Sequence, residues 1–233
     1  LVHLVVPENR SNPSCNLIEL AFVRFRAMAH NPGPPIVYLA GGPGGSGIEA
    51  ARGSRFPLFM AMREVGDVIA VDQRGTGMSK PSLLCPEPLW SFPSNMPGNK
   101  EEMLHILKER SRASAQFLRD QGIDLSAYNT NESADDIESL RKALGQEKIS
   151  LWGISYGTHL ALAAIRRHEK SIYKAILAGV EGPDHTLKLP SNYHKHLREI
   201  DRLIKNDSEL SNRIPDLFGL MKAVLDRLEK HPV

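Results

Sequence analysis

Short apolar runs bounded by turn-forming residues recur along the chain, at Pro35–Ala40, Asp67–Val71, Ile149–Ile154 and Lys174–Ala178. Continuous runs of this kind predict strands buried on both faces, the environment of a parallel sheet. Two earlier segments, Leu1–Pro7 and the mostly apolar Leu17–Arg26, broken only by Glu19 and Arg24, predict an antiparallel pair at the sheet edge. Between the strands the apolar spacing lengthens to that of amphipathic helices. Asn99 with Glu102 forms a capping box heading a run that stops near Gly122. Ser133 with Asp136 opens the next, which ends at Leu144 with Gly145 in the C′ position. A third starts just after Ser155 and carries Leu160, Ala161, Ala163, Ala164 and Ile165. Alternating strands and helices predict an α/β fold, a mainly parallel sheet covered on both faces.

Prolines at 81, 86, 88, 93 and 97 mark an irregular loop. Beyond Pro183 the strand pattern stops. Segments 190–206 and 215–230 read as amphipathic helices separated by polar Asn206, Asp207 and Ser208. The predicted organisation is an α/β core over 1–183 followed by a helical section over 184–233.

Composition changes this picture little. The 233 residues suffice for one large domain, and 29 basic against 27 acidic side chains leave a formal charge of +2. That balance offers no electrostatic case for a nucleic acid or an anionic membrane. No apolar run approaches the roughly 20 residues of a membrane-spanning helix. No His, Cys or Asp cluster has ligand spacing, so neither a metal nor another cofactor is expected. Cys15 and Cys85 are compatible with two separate thiols or one disulfide, and the compartment stays open. The opening residues lack an initiator Met and a basic segment, so they do not read as a signal peptide.

The strongest chemical signal is Gly153-Ile154-Ser155-Tyr156-Gly157, where a predicted strand meets a predicted helix. Glycines flanking a serine at such a junction form the nucleophile-elbow pattern, in which a sharp turn projects the hydroxyl above the sheet. The helix N-terminus places partial positive charge beside a developing oxyanion. Gly41-Gly42-Pro43-Gly44-Gly45-Ser46-Gly47 follows the strand at 36–40. No Lys follows these glycines and Pro43 interrupts the dinucleotide pattern, so phosphate binding is disfavoured. Such a loop instead supplies one backbone donor to an oxyanion hole, assigned to Gly42 with Gly41 as the near alternative. The second donor is the N–H of Tyr156, the residue after the nucleophile. Asp72-Gln73-Arg74-Gly75-Thr76-Gly77-Met78-Ser79 reads as a tight turn that braces the glycine loop, with Asp72 pairing to Arg74.

In this order and spacing, GGPGGSG, DQRGTGMS and GISYG resemble the α/β-hydrolase peptidases, in the branch of proline iminopeptidases and secreted tripeptidyl aminopeptidases. The resemblance spans roughly residues 1–190 and includes Gly179-Val180-Glu181-Gly182-Pro183-Asp184-His185. It implies a serine hydrolase acting from the N-terminus of small peptides, with a helical cap inserted after the sixth core strand. Ala40 stands where many iminopeptidases carry His, which points towards the tripeptidyl branch.

A serine nucleophile needs a base, normally His oriented by a carboxylate. His159 lies one turn along the helix after Ser155, His168 ends that helix, His194 and His196 fall in a charge-rich helix, and His231 is nearly terminal. Asp184 and His185 are adjacent, and neighbouring side chains do not converge on a third point. The triad acid and histidine are therefore expected beyond Val233, with this chain a fragment of feeble activity on its own. The same elements would serve a carboxylester hydrolase acting on small esters, and a scaffold without its base would be a binding module.

Overall fold

A computed structural model of the protein describes residues 1–89, 91, 100–184 and 189–231. Strands β1 (Val2–Pro7), β2 (Leu17–Phe25), β3 (Gly33–Leu39), β4 (Gly66–Val71), β5 (Ile149–Ile154) and β6 (Ile172–Ala178) form one sheet. Their order is β1-β2-β4-β3-β5-β6. β1 pairs antiparallel with β2 and β2 with β4, whereas β4, β3, β5 and β6 run parallel. The antiparallel pair thus sits at one edge, as the opening segments predict.

Between β3 and β4 come α1 (Gly47–Arg52) and α2 (Phe56–Met62); α3 (Lys100–Asp120) and α4 (Thr130–Ala143) precede β5, and α5 (Tyr156–His168) links β5 to β6. Alternation along the central strands distributes side chains to two layers. On one face Val37, Leu39, Ile69, Val71 and Leu151 pack against Ala134, Ile137 and Leu140 of α4 and Leu160, Ala161 and Ala164 of α5. On the other, Ile36, Tyr38, Val68, Ala70 and Trp152 meet Ala51 of α1 and Phe59 of α2. Ring centroids of Phe59 lie 5.0 Å from both Tyr38 and Trp152, in tilted and edge-on arrangements favourable to aromatic quadrupoles.

Several boundaries differ from the periodicity reading. α4 starts at Thr130, not Ser133, because the Asn129 side chain accepts the Glu132 N–H and caps the helix a turn earlier. Ser133 and Asp136 are consequently buried within it. Asn99, Pro93, Pro97 and His185 lie outside the described residues. α1 and α2 are too short to set up a helical period, and no pattern announced them.

The Asp72–Arg74 pair expected from their proximity is not formed. Asp72 accepts hydrogen bonds from Ser46 Oγ (2.7 Å), the Ile48 N–H (3.0 Å) and the Met78 N–H (2.8 Å). Arg74, with its side chain 1% exposed, turns instead to α4. Its Nε and Nη2 each lie 2.8 Å from a different Asp136 oxygen, and its Nη1 donates to the Glu8 and Ala127 carbonyls. Arg10 adds a second fork onto Glu132 and Asp136 at 2.7 Å each. A planar guanidinium matched by one carboxylate is a better partner than a neighbour two residues away. This buried cluster ties the turns after β1 and β4 to α4.

Asp184–Val233 forms a second compact unit, separate from Leu1–Pro183. It contains α6 (Pro190–Asn206), α7 (Ser208–Arg213) and α8 (Leu217–Lys230). Of the polar stretch read as a separator, Asn206 ends α6, Asp207 is the cap and Ser208 opens α7, whose N–H groups at Glu209 and Leu210 donate to Asp207. Asp216 caps α8 in the same way. His194 of α6 packs on Phe218 of α8 with ring centroids 5.5 Å apart.

Candidate active site

The turn from β5 to α5 holds Ser155 at φ 53°, ψ −125°, the only non-glycine residue of positive φ among those described. Such a conformation costs about 1–3 kcal/mol and persists only where its surroundings over-determine it. They do so here. Leu39 of β3 and Ala178 of β6 flank the end of β5 in register with Gly153 and Ile154. The Ser155 N–H donates to the Ala178 carbonyl at 3.0 Å. The Ser155 carbonyl accepts from the Thr158 N–H (2.8 Å) and from Thr158 Oγ1 (2.7 Å). α5 is pressed so closely against β3 that a Cβ at Gly157 would lie 2.0 Å from the Leu39 carbonyl oxygen. A Cβ at Gly153 would lie 2.5 Å from the Gly157 carbonyl. The G-x-S-x-G spacing therefore follows from backbone contact on both sides of the serine.

The glycine loop after β3 approaches from the neighbouring strand. A Cβ on Gly41 would stand 3.1 Å from Ser155 Cβ and 3.0 Å from the Ile154 carbonyl, so only hydrogen fits comfortably. Gly42 has φ 124°, a conformation open to glycine alone at little cost. The loop is tied down by the Gly45 N–H donating to the Gly41 carbonyl at 3.0 Å. Ser46 both caps α1 and donates to Asp72, and Gln73 Nε2 donates to the Ala40 carbonyl at 3.3 Å. The Asp72–Ser79 turn thus braces the glycine loop through Asp72 and Gln73, while Arg74 anchors the turn to α4.

Tyr156 follows the serine, its hydroxyl 2.9 Å from Thr130 Oγ1 and its ring stacked on His159 at 5.7 Å between centroids. It faces a cleft of about 680 Å³ lined also by Pro43, Gly44, Arg74, Tyr128 and Thr130. Burial, with the Glu8 carboxylate next in importance, pushes the Tyr128 hydroxyl well above its ordinary value. Tyr128 therefore stays a neutral donor, held by Glu8 Oε1 at 3.0 Å.

The structure adds a residue that the sequence pattern passed over. Ser155 Oγ donates to Glu181 Oε1 at 3.1 Å. The Glu181 N–H donates to Thr158 Oγ1 at 2.8 Å, so one fully buried threonine holds both the serine turn and the loop after β6. Two residues before Glu181, Gly179 has φ 64° and turns the chain back towards Ser155. The available signal was positional: open α/β sheets place their sites at the carboxyl ends of strands, and Glu181 is the first acid past the strand beside β5.

No described histidine is hydrogen-bonded to Ser155. His159 Nδ1 lies 3.3 Å from the Gly182 carbonyl, and His168 Nε2 lies 2.7 Å from Asp135 Oδ1. His194 packs on Phe218, and His231 closes the last turn of α8 through its backbone N–H. Among the described residues no group of three or more His, Cys, Asp or Glu could hold a metal ion, and no helix is long and apolar enough to cross a membrane. Cys15 and Cys85 are free.

Residues 34–219 match the model of the α/β hydrolase fold family. The chain is 30% identical to the serine protease Hip1 of Mycobacterium tuberculosis over 192 residues, which cover 78% of this chain and 36% of that protein. It is also 30% identical to a tripeptidyl aminopeptidase of Streptomyces coelicolor over 167 residues, 68% of this chain and 30% of that one. The chain therefore spans about a third of the length of the curated relatives it matches. Among solved structures, a thermophilic esterase of Thermogutta terrifontis is 20% identical with a TM-score of 0.47, covering 88% of this chain and 54% of that one. With a family match running from β3 into the second unit, on a sheet ordered β1-β2-β4-β3-β5-β6, the chain belongs to the α/β hydrolase fold family.

Proposed function

We propose that this chain carries the nucleophile and oxyanion hole of a serine peptidase that works from the N-terminus of peptides. The observation that carries this reading is the forced positive-φ Ser155 at the head of α5, with Gly41 of the glycine loop against its side chain. In this scheme Ser155 Oγ attacks the scissile carbonyl and forms an acyl-enzyme. The backbone N–H groups of Gly42 and Tyr156 receive the negative charge that develops on the carbonyl oxygen. Each such donor is worth about 3 kcal/mol of transition-state stabilisation in a site sheltered from water. The N-terminus of α5 adds its dipole to the same charge. Leu1–Pro183 acts as the hydrolase core and Asp184–Val233 as the beginning of a helical cap.

The proton on Oγ needs a base of suitable basicity. The geometry of the described histidines offers none, so the base and its orienting acid are inferred to come from outside the described residues. The names of the Hip1 and tripeptidyl aminopeptidase relatives favour peptides over simple esters as substrates.

Labelling with a fluorophosphonate, followed by peptide mapping, tests the scheme. In the natural protein containing this sequence the adduct is expected on Ser155 and is absent after Ser155→Ala. An adduct elsewhere, or none in a folded protein, overturns the assignment. Residues 1–233 alone, shown to be folded, are expected to label far more slowly. Equal labelling would bring the base back among these residues.

A further inference from the structure

Glu181 presents a carboxylate 3.1 Å from the Ser155 hydroxyl. We propose that this carboxylate binds the ammonium group of the residue whose carbonyl Ser155 attacks, restricting the site to release of single N-terminal residues. The inference rests on Ser155 being the nucleophile, and it narrows the substrate class of that site.

Position comes first. Glu181 is held from its backbone by Thr158 Oγ1, and Thr158 is itself fully buried and bonded to the Ser155 carbonyl. The distance between the Glu181 backbone and the nucleophile is therefore set by α5 and β6 together. It does not depend on a free loop. The next residue is held as well, since the Gly182 carbonyl lies 3.3 Å from His159 Nδ1.

Charge comes second. The described hydrogen bonds and ion pairs of the Glu181 side chain include the Ser155 hydroxyl and no Lys, Arg or His. Beyond what the protonated base offsets, a carboxylate beside a forming oxyanion opposes the reaction, because like charges a few ångströms apart repel strongly where water is partly excluded. A substrate that brings its own cation to Glu181 removes the repulsion and gains a charge-assisted hydrogen bond. The same group thus favours a free amine at this point and penalises a blocked one.

Reach decides which amine. Within one residue the nitrogen and the carbonyl carbon are separated by two bonds, about 2.5 Å apart. An ammonium on the attacked residue can therefore be brought within hydrogen-bond range of a carboxylate that already touches Oγ. In a tripeptide the terminal amine lies two residues further back, about 7 Å away along an extended chain. It cannot reach Glu181 while its third carbonyl faces Ser155. The geometry consequently selects removal of one residue over removal of three, against the direction in which Ala40 points.

The test measures kcat/KM of the natural protein containing this sequence on three p-nitroanilides: alanyl, N-acetylalanyl and alanyl-alanyl-alanyl. The alanyl substrate is expected to be favoured over both others by about 10- to 100-fold, the worth of one charge-assisted hydrogen bond. Glu181→Gln keeps the size and a hydrogen bond to Ser155 but removes the charge. It is expected to lower the alanyl rate by a similar factor while leaving the other two unchanged or faster. A merely structural role, or a role as base, would slow all three together, and that result overturns the proposal. So does a wild-type preference for the tripeptidyl substrate. If none is hydrolysed, fluorophosphonate labelling separates the two failures. A labelled Ser155 with no anilide turnover overturns the Glu181 inference alone, and an unlabelled Ser155 overturns the nucleophile assignment with it.

Discussion

β5 and β6 are neighbouring parallel strands of similar apolar sequence, yet within residues 1–233 they are covered very differently. β5 lies between β3 and β6, with Leu151 1% exposed and Trp152 4% exposed. β6 pairs only with β5 among the described strands, and Tyr173 and Ile176 are 51% and 57% exposed. An apolar run announces a strand but not its rank in the sheet. The same contrast holds at their carboxyl ends. β5 delivers Ser155 in a pattern written into five consecutive residues. β6 delivers Glu181 through a glycine turn whose meaning depends on what stands beside it.

The difference can be tested from the strongest expected effect to the weakest. Gly157→Ala drives a Cβ into the Leu39 carbonyl, and it is expected to cost more than about 4 kcal/mol or to prevent folding, as read by chemical denaturation. A mild effect would show that α5 can move away from β3. Leu151→Ala is expected to cost about 2–5 kcal/mol through lost burial and a residual cavity. Thr158→Val removes the hydroxyl that joins the serine turn to the Glu181 loop, and a loss of about 1–3 kcal/mol is expected. If it leaves stability untouched, the two loops are positioned independently.

Acid titration probes the approach to β6. Glu138 is held at about 2, well below its ordinary 4.5, first by the hydrogen bond from Arg141 and, against the opposing effect of burial, also by Ser171 next to β6. Because the folded value is depressed, this contribution is fully present above pH 4.5. It is lost as pH falls through the window from about 4.5 to about 2. Glu138→Gln is expected to flatten that part of the stability profile measured by thermal melting. In residues 1–233 alone, Ile176→Ala should change stability by less than about 0.5 kcal/mol, the usual range for exposed positions. A cost near that of Leu151→Ala would show that β6 is covered in solution and would dissolve the comparison.

Much of this contrast was legible in the residues and part was not. The strand at 149–154 was read to the residue, because both of its ends are marked by a change of pattern. β3 and β6 begin two residues earlier than their apolar runs, at Gly33 and Ile172, where pairing with β4 and β5 extends them. The start of α4 was missed by three residues, since the Asn129 cap competes with a plausible capping serine inside the helix. At the candidate site, the Ser155 turn was visible from local spacing, whereas Glu181 is 26 residues away, in the segment 179–185 that entered the resemblance without a role of its own. The pairing of Asp72 with Arg74 failed for the same reason: sequence shows neighbours, while Asp136, 62 residues on, offers the better fork.

What the sequence determined by itself is whatever depends on short-range backbone geometry and periodic burial: the alternating elements, the antiparallel opening pair, and the serine turn with its two flanking glycines. Only the tertiary structure decided which strands are central, which carboxylate meets Arg74, and that the loop after β6 folds back onto Ser155. These depend on contacts between segments far apart in the chain. Apolar spacing records that a segment suits a sheet or a core, and it does not record what, if anything, covers it.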